Sequence, residues 1–172
     1  MQIVTFGGVT LGLCILIVTL VRWYPGYRTL KKKPMPFVGQ LLPFLLAWAY
    51  GVLAILTVGG LIGRIADATL WISNWLGDVA LVWGVGVDRG QSATGHAYLP
   101  LTQTGSALVL ILTAAMVVGV KKSKYGSDLK AGSWCGICLG TSAGIAGFAA
   151  VPLATVINRM GDALFGVVGA IA

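Results

Sequence analysis

A chain of 172 residues has the length of one domain, yet 57% of it is apolar and only 10% is charged. Soluble domains carry roughly 25% charged residues, so these side chains would not cover a surface in water, and a bilayer suits them instead. The formal charge of +7 comes from 12 Lys and Arg against five Asp and no Glu, and where those charges fall matters more than their sum.

A helical crossing needs about 20 apolar residues. The first such run is residues 3–21, free of charge and followed, not preceded, by basic residues. That order predicts an uncleaved anchor with its N-terminus outside, because secretory signals carry their basic residues first. The second crossing is expected over 40–63, with Pro43 in its first turn, where the missing N–H does least harm. Residues 65–87 follow, also long enough to span, but holding Asp67, Asn74 and Asp78 on one helical stripe, with Ile65, Ile72, Leu76, Val79 and Trp83 opposite. The pattern fits an amphipathic helix in the interface, its polar stripe toward water, or a fifth span with that stripe turned into a bundle. The third crossing is expected over 101–120, and the fourth over 134–157, kinked at Pro152.

Charge counting chooses between the two readings of 65–87. With four crossings, one side of the membrane collects nine basic residues: Arg22, Arg28, Lys31, Lys32, Lys33, Lys121, Lys122, Lys124 and Lys130. The other side has only Arg64, Arg89 and Arg159. A fifth span evens the split, and positive residues favour the cytoplasm. The whole chain, 1–172, therefore reads as a single all-α domain. It is a polytopic transmembrane helix bundle of four spanning helices plus one amphipathic interfacial helix, multi-pass in the cell membrane with both termini outside. Trp23, Tyr24, Tyr27, Tyr125 and Trp134 are expected near the cytoplasmic headgroups, and Trp48 and Tyr50 inside the bundle.

Few residues suggest chemistry. Trp134-Cys-Gly-Ile-Cys138 looks like the WCGPC site of the thioredoxin fold, but Ile replaces its Pro and no strand precedes it. The cysteines are expected to be small packing groups. Cys14 and His96 fall on other segments, so no metal site and no cofactor is expected. P-loop and zincin patterns are missing from the sequence. The four spans hold no acid for proton-coupled work, and no transporter-like repeat is apparent. Enzyme is the least favoured class.

Gly136, Gly140 and Gly144 lie on one helix face, with Gly147 near it. In lipid, small residues let backbones approach closely, so this face is expected to pack either a second copy of the chain or another helix of the same one. The basic, aromatic stretch 22–36 suits anionic headgroups, at about 1 kcal/mol per basic residue, better than direct binding of nucleic acid.

The stretch RWYPGYRTLKKKPMPFVGQLLPFLLAWAYG, residues 22–51, together with the short basic loops, the Gly- and Ala-rich last span and the lack of Glu, is similar in plan to small membrane proteins of actinobacterial conjugative plasmids and phages. The likeness covers residues 22–63. It implies a plasmid-spread or conjugation accessory, homo-oligomeric in the membrane and acting beside a membrane DNA translocase. A phage holin-like pore former and a structural subunit of a secretion or transfer channel are the competing readings.

Overall fold

The computed structural model describes residues 4–24, 34–57, 60–86, 88, 101–142 and 145–171. Six helices account for nearly all of them: α1 (Phe6–Trp23), α2 (Pro34–Leu56), α3 (Gly60–Val85), α4 (Gln103–Lys122), α5 (Gly126–Gly140) and α6 (Ile145–Ile171). α1 and α4 are each long and apolar enough to cross a membrane; a third crossing is available if α2 and α3, bent at 106° to each other, count as one broken span. The protein is thus all-helical, with two or three helices of membrane-spanning character.

α1 and α4 lie within three residues of the expected spans at both ends, because each is a uniform apolar run between a Thr N-cap and a basic last turn. Thr5 Oγ1 accepts from Gly8 N–H at 3.2 Å, and Thr102 Oγ1 from Gly105 N–H at 3.1 Å, satisfying donors that a helix start leaves open.

The other two expected spans are corrected. The second does not begin at Gln40: α2 starts at Pro34, with Pro at the first helical position, and Pro43 lies inside it. Nor does it reach Gly63, since α2 stops at Leu56 and α3 starts at Gly60, whose φ of 69° suits a residue without Cβ. No single helix covers 134–157 either: α5 ends at Gly140 and α6 begins at Ile145, carrying Pro152 within it. Both breaks fall in apolar stretches, where hydropathy alone does not register them.

The two breaks correspond. Thr57-x-x-Gly60-x-x-Gly63 and Thr141-x-x-Gly144-x-x-Gly147 match, and at the same constant offset, without insertion, Asn74-x-x-Gly77-Asp78 matches Asn158-x-x-Gly161-Asp162. Helices α1–α2–α3 and α4–α5–α6 are two copies of one plan, a repeat that apolar runs alone do not reveal. Glycine contacts set the relation of the copies. Gly132 faces Phe44 and Ala47, Gly136 faces Trp48 and Gly51, and Gly140 faces Val52 and Ile55. Residue numbers rise together on both helices, so α2 and α5 run parallel. α1 runs antiparallel to α5, with Gly12 against Cys138 and Leu139, and with Arg22 beside a small cavity shared with Asp128.

The polar stripe of α3 also points the other way from expectation. Ser73 and Asn74 are buried, Asp67 and Asp78 half-buried, while Trp71, Ile72, Trp75, Leu76 and Trp83 are exposed. In lipid, apolar side chains have no reason to turn inward, and polar ones find their partners inside.

Candidate functional site

Three features of the bundle carry the residues singled out by sequence: a glycine seam, two polar clasps, and a basic end.

The seam joins the two copies. A Cβ on Gly136 would strike the Trp48 carbonyl, and one on Gly51 the Ser133 carbonyl. A Cβ on Gly140 would lie 2.9 Å from Ile55 Cγ2 and 3.1 Å from Val52 Cα. Backbone meets backbone here because no side chain separates them, which in a bilayer is a main source of helix association. The expected glycine face is therefore occupied within the chain at Gly136 and Gly140, and a second copy would have to displace α2 to use it. Gly132, one turn before the expected run, belongs to the same seam. Gly144 lies outside the described residues, as do the surroundings of Gly147.

Each clasp ties the third helix of a copy to the start of its first. Asn74 Oδ1 accepts the Thr5 N–H at 3.2 Å, and Gly77 packs directly on the Gly7 backbone beside Asp78. In the second copy Asn158 Oδ1 accepts the Thr102 N–H at 3.0 Å and the Thr102 hydroxyl at 3.1 Å. Gly161 packs on the Thr104–Gly105 backbone, and the Thr104 hydroxyl donates to Asp162. An Asn carbonyl thus takes the first free donor of a helix, and the glycine one turn later admits the close approach. Asn158, Gly161 and Asp162 were not among the expected site residues. Their signal was the recurrence of Asn-x-x-Gly-Asp.

Cys135 and Cys138 lie in the second half of α5, both buried and both free thiols. Cys135 Sγ donates to the Gly12 carbonyl at 3.3 Å, under α1. The helix N-terminus that activates a thioredoxin-type cysteine is not at hand, since α5 begins at Gly126. Trp134 does not open a helix. It sits within α5, its indole N–H donating to Ser73 Oγ at 2.8 Å. Trp48 and Tyr50 are half-buried among core side chains, and Tyr50 bonds Thr113 Oγ1 of α4 at 3.1 Å. Among the described residues no cluster of His, Cys, Asp or Glu could hold a metal ion.

Arg22 closes α1, and Lys121 and Lys122 close α4. Lys124 lies over the Tyr125 ring, 5.0 Å from its centroid, and Lys130 is exposed on α5. Because α1 ends beside the start of α5, all five gather at one end of the bundle, the end opposite the clasps. Arg28 and Lys31, Lys32 and Lys33 lie outside the described residues. No family model, curated protein or solved structure matches this chain.

Proposed function

We propose that this chain is a non-enzymatic multi-pass protein of the cell membrane, acting as an oligomeric accessory of conjugative DNA transfer or plasmid spread. In this reading it crosses four times, through α1, α2, α4 and α5 with the start of α6. Both termini lie outside, both clasps sit at the outer end of the bundle within the bilayer, and the basic end lies in the cytoplasm. The convergence of Arg22, Lys121, Lys122, Lys124 and Lys130 on one end carries the reading, because it offers one face to anionic headgroups and to a membrane DNA translocase. The likeness of residues 22–63 to conjugative-plasmid membrane proteins supplies the process. With the seam filled internally, an oligomer would be built on the outward apolar faces of α3 and α6. Two measurements test this. In a background with Cys14, Cys135 and Cys138 replaced by Ala, an impermeant thiol reagent added outside should label Ser92→Cys and spare Ser123→Cys. Deleting the gene should lower transfer frequency without affecting growth; unchanged transfer would discard the process.

The matched breaks favour a second reading, a carrier built from two parallel repeats, since interrupted helices at corresponding positions often mark substrate sites. Bridging Tyr50→Cys to Thr113→Cys with a bifunctional thiol reagent would stop a carrier whose halves rock, and would leave a scaffold working.

A further inference from the structure

We infer that a cleft along α4 binds an anionic phospholipid, with an acyl chain in the groove and the headgroup at Lys130. The cleft arises where the two copies differ. On α1, Gly12 lets the helix settle on α5, close to Cys138 and Leu139. The matching position on α4, counted from the Thr N-caps, is Val109, which is fully buried and packs with Leu53 of α2. A branched side chain at that contact holds α4 away from α2, and space opens on both sides of it. One cleft, of about 600 Å³, runs between Tyr50, Met116, Val120, Trp134 and Ile137; the other, of about 760 Å³, lies between Leu61, Leu110 and Val118. Thr113 and Val117 line both, so the two meet along α4.

The walls are apolar and open sideways on the bundle, so in a bilayer hydrocarbon fills them; an empty groove would forfeit dispersion contacts. Charge selects the lipid. Lys130 and Ser127 line the end of the first cleft, and Lys121, Lys122 and Lys124 stand on the neighbouring turns, at the basic end of the bundle. Basic pockets between membrane helices hold anionic headgroups in this way. The inference rests on the bilayer part of the proposed function and is independent of any part in DNA transfer.

The full chain, purified in neutral detergent, is mixed with phosphatidylglycerol or phosphatidylcholine and examined by native mass spectrometry. One phosphatidylglycerol per chain should be retained, at about tenfold lower concentration than phosphatidylcholine needs, a difference of about 1.4 kcal/mol. Lys130→Gln, at an exposed position that does not threaten the fold, should bring the two lipids close to parity. Val117→Trp should weaken both by filling the groove, and Ala114→Phe, at an exposed position of the second cleft, provides the same check should Val117→Trp misfold. Equal retention of the two lipids by the native chain would overturn the site, as would unchanged selectivity in Lys130→Gln. So would loss of a dimer instead of a lipid in the groove-filling variants, which would make a second copy the occupant.

Discussion

The two clasps share one design and differ in their depth. In the first copy Asn74 is only 7% exposed and Gly7 lies against Gly77 and Asp78. In the second, Asn158 is half-buried, while Thr102 and Asp162 are exposed. The same asymmetry runs down the helices they hold: α1 is seated on α5, and α4 stands off with a cleft beside it. A repeated sequence therefore fixes the connections of each copy but not how tightly each closes. At the crossing the closely seated helix carries Gly12 and the other carries Val109.

The comparison can be tested in four steps of decreasing size. The seam is common to both copies, so breaking it should cost most. Gly140→Leu forces a branched side chain onto Val52 and Ile55, and the expected outcome is poor insertion or aggregation, not a smaller oligomer, seen on detergent gel filtration. A well-inserted, monodisperse mutant would mean that the seam gives way easily. The clasps come next. Asn74→Ala strands the half-buried Thr5 N–H and should destabilise by about 1–3 kcal/mol, whereas Asn158→Ala, which water can replace, should cost about 0.5–1 kcal/mol. Thermal melts in one detergent decide this, and a larger effect at Asn158 would reverse the assignment of tight and open copies.

The matched threonines at the breaks give a smaller contrast of opposite sign. Thr57 Oγ1 donates to the Ala54 carbonyl at 2.6 Å, whereas Thr141 Oγ1 is buried with no hydrogen-bond partner among the described residues. Thr57→Val should lose about 0.5–1 kcal/mol, and Thr141→Val should be neutral or gain as much, since it removes an unpaired polar group. Equal losses at both sites would place a partner on Thr141. The smallest effect is expected for Cys135→Ser with Cys138→Ser. These thiols pack beneath α1, so transfer activity should stay within a few-fold; abolished activity in normally inserted protein would give them a chemical role.

How far the sequence led depended on which physical signal each element carried. α1 and α4 were legible because a charge-free apolar run closed by basic residues has one solution in a bilayer. The breaks after Leu56 and Gly140 were not, because Thr, Ser, Ala and Gly scarcely alter a hydropathy average while they end a helix. The stripe of Asp67, Asn74 and Asp78 was found, since periodicity gives angular position, but its direction was misread. Water would draw those side chains outward, and a bundle in lipid draws them in. The glycine face was found one turn short, missing Gly132, because the sequence alone does not say which glycines meet another backbone. Asn158, Gly161 and Asp162 needed the repeat, and a search for apolar runs does not compare one run with another.

The parallel seam has a consequence for how the protein is made. Its two sides, Gly51 on α2 and Gly136 on α5, leave the ribosome several seconds apart at about 5–20 residues per second. Until α5 arrives, the first copy waits in the bilayer with its closest-packing face uncovered. Another nascent chain in the same state carries the same α2, and its own α5 would fit that face equally well. Crowded synthesis thus creates a route to exchanged dimers that keep every seam contact, and low expression should favour the chain that closes on itself.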